Sequence, residues 1–262
     1  MSQHFHASDY SRYFSLRQKV YLVNMSVERD NEIYESLSGV VTSSGMDSLE
    51  LMIAYGGNST YGDDVGKTTY KLTSEALGSG IQVLADLTGI VSGNIFQFRI
   101  HGTLELFQRR VVPRIEFTAR IFQMCGNYPL EFFRKEWKRV MGHLRTNGDL
   151  PRLVLKETEI NLSAGGIGFA VDSANRPTPL SMLFVELGES LPVCALAEII
   201  WEQHVGERRR YGFRFIYILK ADQERINSFI GDSLKKSGVA HLDYTRNWVL
   251  VDKMSADDSK PR

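Results

Sequence analysis

The chain has 262 residues, 43% of them hydrophobic and 24% charged, and a formal net charge of zero. That is enough apolar material for real cores without disulfide staples, and enough length for two modest domains. No apolar run approaches the roughly 18–20 residues of a membrane span, the N-terminus Met1–His6 lacks the marks of a signal peptide, and Cys125 and Cys194 show no CxxC spacing, so a cytoplasmic protein with reduced thiols is expected.

The first half reads as mostly β. Candidate strands are Lys19–Asn24, Tyr34–Thr42, Leu49–Ala54, Thr68–Leu72, Ile81–Leu87, Gly89–Val91 and Ile95–His101. They are short, rich in Val, Ile, Tyr and Phe, and separated by Gly, Asn, Asp and Ser clusters such as those at 56–58 and 62–64. Such punctuation suggests a small antiparallel barrel. Glu105–Pro113 connects to the second half. There Arg114–Gln123 reads as a strand and Pro129–Arg145 as a helix, with Phe133, Trp137, Val140, Met141 and Leu144 on one face.

Strands follow at Arg152–Leu162, Ile167–Val171, Met182–Leu187, Val193–Gln203 and Tyr211–Leu219. Asp222 is expected to cap a last helix that buries Ile226, Phe229, Ile230 and Leu234. His241–Val251 is expected to add a packed segment, and the polar stretch 255–262 to be a disordered tail.

Two segments carry the chemistry. Arg109-Arg110-Val111-Val112-Pro113-Arg114 is an R-R-x-x-x-R run. A guanidinium is a planar fork that can read guanine O6 and N7, clamp a phosphate or stack on a purine. The run sits where the charge balance turns. Residues 1–105 hold 7 Lys/Arg against 12 Asp/Glu, and residues 106–262 hold 24 against 19. Asn161-Leu162-Ser163-Ala164-Gly165-Gly166 is an N-x-S-x-x-G turn at the end of a strand. Its glycines permit positive φ and leave backbone N–H groups open to a phosphate, and Asn161 and Ser163 point to the same side. Taken singly, the first segment also reads as a solvated basic linker and the second as an ordinary hairpin.

As a pair, in this order, the segments resemble the PilZ domain, the bacterial receptor module for cyclic di-GMP. Its members place R-x-x-x-R before the first barrel strand and D/N-x-S-x-x-G at the end of a following one. They close with a strand like Tyr211-Gly212-Phe213-Arg214-Phe215 and a C-terminal helix. The resemblance covers roughly residues 106–235. The first hundred residues are similar to the N-terminal barrel of YcgR-type flagellar-brake proteins. The helix at Pro129–Arg145 is a departure, since many PilZ domains have only a strand and a short turn there.

The resemblance implies a mainly β chain of two small antiparallel barrels. Residues 1–105 would be a YcgR-N-like split barrel, and residues 106–262 a PilZ domain that includes the arginine linker 106–114, the inserted helix and a C-terminal helix. It implies a cyclic di-GMP site made by Arg109, Arg110, Arg114, Asn161, Ser163, Gly165 and Gly166, with no catalytic residue, metal or other cofactor. Arg109 implies an intercalated pair of ligand molecules. The output would be contact with a flagellar, pilus or exopolysaccharide machine, with homo-oligomers left open, no nucleic acid as partner and no membrane insertion.

No G-x-S-x-G, P-loop or complete G-x-G-x-x-G occurs, and the six histidines show no zinc spacing beyond a weak His4-x-His6. Two other readings stand beside the receptor. One is a PilZ-like docking adaptor that binds no nucleotide, for which the intact arginines and N-x-S-x-x-G would be superfluous. The other is a single-strand nucleic-acid barrel, which the zero net charge disfavours. Arg208-Arg209-Arg210 and Trp201 are left open as further ligand contacts.

Overall fold

A computed structural model describes residues 4–5, 9–25, 32–55, 65–76, 79–107, 113–147, 153–172, 177–188, 191–206 and 208–237. The loop clusters at 56–58 and 62–64, Arg109, Arg110, the segment 241–251 and the tail 255–262 lie outside the described residues. The chain divides into two compact units, Met1–Arg109 and Arg110–Arg262. Among the described residues no helix is long and apolar enough to cross a membrane.

In the first unit the strands are β1 (His4–Phe5), β2 (Lys19–Asn24), β3 (Ile33–Ser44), β4 (Ser48–Ile53), β5 (Thr69–Ala76), β6 (Ser79–Val91) and β7 (Ile95–Phe107). Antiparallel pairing runs β2–β3–β4–β7–β6–β5 and back to β2, which closes a six-stranded ring, with β1 added on β7. Alternation builds its core. Leu49, Leu51 and Ile53, Tyr70 and Leu72, and Phe96, Phe98 and Ile100 are buried, each one residue apart from a more exposed neighbour. Tyr70 meets Phe98 edge-on at 5.7 Å between centroids.

The segments expected at Ile81–Leu87 and Gly89–Val91 are one strand, because a register shift between Leu87 and Gly89 absorbs Thr88 and pairing continues. Strand β7 also continues beyond the expected His101, and its pairing reaches Phe107, into the segment read as linker. Gly102, at φ 80°, carries the strand past its register shift and accepts a 2.6 Å hydrogen bond from the Tyr10 hydroxyl.

The second unit contains β8 (Ile115–Cys125), α1 (Leu130–Asn147), β9 (Lys156–Ser163), β10 (Gly166–Asp172), β11 (Leu180–Val185), β12 (Val193–Val205), β13 (Arg208–Leu219) and α2 (Lys220–Lys236). Its ring runs β8–β9–β10–β13–β12–β11 and back to β8, again antiparallel throughout. Among the described residues the fold is thus mainly β, with a six-stranded ring in each unit and two α-helices, in line with the mainly β architecture that the resemblance implies.

Helix α1 buries Phe133, Trp137, Val140 and Leu144 at the expected spacing, and Met141 is half-buried. Burial of each large apolar side chain is worth about 1.5–3 kcal/mol. Trp137 Nε1 donates to the Cys194 carbonyl at 2.9 Å and meets Tyr217 edge-on at 4.9 Å, which fastens the helix to β12 and β13.

Helix α2 differs from expectation at its start. Its N-cap is Leu219, without a side-chain cap, and Asp222 lies inside the first turn, buried, with Arg225 Nη1 donating to it at 2.7 Å. The Arg225 guanidinium holds the carboxylate that the sequence pattern assigned to capping. Ile226 and Ile230 are fully buried, whereas Phe229 and Leu234 are half-buried, Phe229 against Phe117 at 5.0 Å. Cys194 is buried and Cys125 exposed, both free. Burial, and then the nearby Asp222 charge, push the Cys194 thiol up, so it is inert at neutral pH.

Candidate functional site

Ring closure in the second unit lines up residues that are far apart in sequence. Arg114 stands one residue before Ile115, whose partner is Leu162, so it lies level with Ser163. Ser163 pairs with Gly166, Gly166 with Arg214, and Arg214 with Glu198. The next row on the same face is Glu116, Asn161, Gly168, Gly212 and Trp201, taken across β8, β9, β10, β13 and β12. Alternate strand residues share a face, so Arg114 with Glu116, Ser163 with Asn161, and Arg214 with Gly212 look one way. Phe213 and Phe215 look the other way, into the core.

Arg114 is exposed and has no ion-pair partner among the described residues. Asn161 Nδ2 donates to Glu116 Oε1 at 3.2 Å, and Arg210 Nη2 donates to the same oxygen at 2.9 Å. The hydrogen bonds from Arg210 and then Asn161, reinforced by the Arg210 charge, hold the Glu116 carboxyl below the usual carboxylate range. Arg209, by contrast, pairs with Glu202 at 2.6 Å. Ser163 is buried, with its hydroxyl donating to the Gly166 carbonyl at 3.2 Å.

The glycine turn works differently from its sequence reading. Neither Gly165 nor Gly166 takes a positive φ. Gly166 is required by close approach instead, because a Cβ there would lie 2.2 Å from the Phe213 carbonyl oxygen. At Gly165 a Cβ would meet nothing within 4 Å, so the turn is open on that side. The turn is held from behind: Phe215 N–H donates to the Gly165 carbonyl at 3.0 Å, and buried Gln223 of α2 donates through Nε2 to the Ala164 carbonyl at 3.1 Å.

Trp201 is seated on the second row. A Cβ on Gly212 would fall 2.1 Å from the indole Cε2 and Nε1, and one on Gly168 would fall 3.7 Å from Cζ2. The indole therefore covers two glycines and remains 39% exposed, a ready aromatic surface beside Asn161. The patch thus offers an unpaired guanidinium, hydroxyl and amide groups, open backbone and a seated aromatic. That inventory is chemically suited to a planar, anionic ligand.

Of the sequence-derived site residues, the structure brings Arg114, Asn161, Ser163, Gly165 and Gly166 together, and Arg109 and Arg110 lie outside the described residues. It adds Glu116, Arg214, Gly168, Gly212 and Gln223, and it draws in Trp201 and Arg210. Gly168 and Gly212 did leave a signal in the sequence: a glycine inside a strand marks close approach of another group. Glu116 and Arg210 left none, since they meet across 94 residues through the barrel register.

The PilZ domain family model matches residues 108–232. No curated protein matches the chain. Among solved structures, the chain is similar to the Bacillus subtilis inhibitor of motility MotI/DgrA, at 12% identity and TM-score 0.36, covering 87% of this chain and 100% of that one. It is similar to Escherichia coli YcgR in complex with c-di-GMP, at 16% identity and TM-score 0.33, covering 84% and 85%. It is also similar to K. pneumonia MrkH in its c-di-GMP complex, at 13% identity and TM-score 0.33, covering 85% and 89%. The family match spans all six strands of the second ring and the rows they form. Residues 108–232 of this chain thus form a PilZ domain.

Proposed function

We propose that this chain is a non-enzymatic cytoplasmic receptor for cyclic di-GMP. The observation that carries the reading is the meeting, within a PilZ domain, of unpaired Arg114 with Ser163 and Asn161 on neighbouring strands. In this reading Arg110 and Arg114 take guanine O6/N7 edges and phosphate oxygens in charge-assisted pairs. Asn161 and Ser163 meet the ligand from β9, Gly165 and Gly166 let its phosphates approach the backbone, and the Trp201 indole stacks on a base. Such stacking is worth about 1–3 kcal/mol per base. Arg109 neutralises and stacks on a second, intercalated dinucleotide, giving two ligands per chain.

The arginine linker joins the two domains, so a ligand that fixes it on the Asn161–Gly166 turn shifts the equilibrium between domain arrangements. It does so by its differential affinity for those arrangements, about 1–3 kcal/mol. The downstream contact is a flagellar, pilus or exopolysaccharide machine. Calorimetric titration with cyclic di-GMP tests the reading. Arg114→Ala is expected to cost about 2–4 kcal/mol of binding, and Arg109→Leu to halve the stoichiometry. Affinity unchanged in both Arg110→Ala and Arg114→Ala would remove the site assignment.

A further inference from the structure

We propose that Arg210 is a further ligand contact of the site and that Glu116 competes with the ligand for it. This deepens the receptor reading and rests on it. Arg208-Arg209-Arg210 offers three guanidinium groups at the start of β13, and the strand register separates them. Arg209 alternates to the opposite face from Arg210 and pairs with Glu202 at 2.6 Å. Arg208 shares the face of Arg210 but stands roughly 13 Å along the strand from Gly212. Arg210 is two residues from Gly212, on the face that carries Trp201, Asn161 and Glu116. Its side chain crosses β10 and β9, and Nη2 donates to Glu116 Oε1 on β8 at 2.9 Å. The same oxygen accepts from Asn161 Nδ2 at 3.2 Å, so the guanidinium lies beside the site amide.

A guanidinium carries five N–H donors, and carboxylates and phosphates are the acceptors that match its fork. The hydrogen bonds from Arg210 and then Asn161 keep Glu116 in its charged form. That carboxylate stands two residues from Arg114 on one face of β8. A phosphodiester held between Arg114 and Asn161 therefore comes beside a negative charge, and beside the one guanidinium that both anions can use. The Arg210 and Glu116 side chains are 37% and 68% exposed, so water screens their pair and it is weak. A ligand held by its other contacts takes the guanidinium over. Binding then forms one charge-assisted pair and breaks another, so Arg210 adds little net affinity while Glu116 is a carboxylate. Its contribution is latent, and appears once that charge is removed.

The experiment measures cyclic di-GMP affinity by calorimetry for the full chain, Glu116→Gln, Arg210→Ala and the double variant. Glutamine keeps an acceptor oxygen for Asn161 Nδ2 and removes only the charge. Both side chains stand on the exterior, so the barrel tolerates all three changes. Glu116→Gln is expected to tighten binding about three- to tenfold. Arg210→Ala is expected to cost about threefold or less in wild type and about tenfold or more in the Glu116→Gln background, the size of one hydrogen bond to a charged group. If Arg210 only shields the ligand from Glu116, the order reverses, because Arg210→Ala then bares the carboxylate in wild type and bares nothing in the Glu116→Gln background. That reversed order, equal costs in the two backgrounds, or a Glu116→Gln variant that fails to tighten binding overturns this inference and leaves the receptor reading standing. If wild type does not bind cyclic di-GMP, the receptor reading fails and the inference falls with it.

Discussion

Gly212 gives Trp201 its seat: the indole occupies the volume that any other residue there would fill with its Cβ. Gly212→Ala must therefore expel the ring or shift the strand. The expected result is a change in tryptophan emission together with a loss of about 1–3 kcal/mol in dinucleotide affinity, matching Trp201→Ala. Tight binding by both variants would remove the indole from the site. At this scale the sequence was partly legible. Arg114, Asn161 and Ser163 announce themselves through spacing, because one strand and one short linker carry them. The partner of Asn161 is not legible, because Glu116, itself held by Arg210, reaches it only once the ring closes with a particular register. The role of Gly166 was misread for a related reason: its neighbour is the Phe213 carbonyl, brought in from another strand, so the need for glycine is steric rather than dihedral.

Among the elements, helix α2 is tied to the glycine turn. Gln223 is buried and bonds the Ala164 carbonyl, so Gln223→Ala leaves a buried acceptor short of a partner and should cost about 1–3 kcal/mol in chemical denaturation. Because the turn loses its rear support, ligand affinity should fall as well, and a variant with wild-type stability and affinity would show the contact to be incidental.

Asp222, one residue earlier, gives the unit a pH dependence. Its burial raises the carboxyl above the usual range, against the charge and hydrogen bond of Arg225 and the charge of Arg145. The folded pKa thus exceeds the unfolded one, about 3.9. The linked stabilisation is full below the unfolded value and is lost as pH rises through the folded one. The stability of wild type relative to Asp222→Asn should therefore fall as pH rises from about 4. A flat or rising difference would contradict this. The periodicity of α1 gave its buried face correctly, since that face follows from the helix alone. The start of α2 was missed because a buried carboxylate paired with arginine and an N-cap carboxylate leave the same trace in sequence: an acidic residue before an apolar stripe.

At the scale of the whole molecule, two six-stranded rings are joined by the segment that carries the arginines. The β character was legible from alternation and turn residues, but the closing partners were not, since closure joins strands distant in sequence, as β4 with β7 and β8 with β11. In our reading the linker is ligand site and relay at once. Cyclic di-GMP should raise hydrogen-exchange protection across 105–114 and alter the solution scattering profile. Tight binding without either change would confine signalling to the PilZ surface.

The most direct test of the central claim is an NMR titration of the labelled chain with cyclic di-GMP. The account predicts saturable shifts in the backbone amides of Arg114, Ser163–Gly166 and Gly168, in the Asn161 side-chain amide, and in the Trp201 indole N–H, with the Trp137 indole unmoved. Binding that leaves these signals in place and shifts others would contradict the assigned site, and an unchanged spectrum at saturating ligand would contradict the receptor itself.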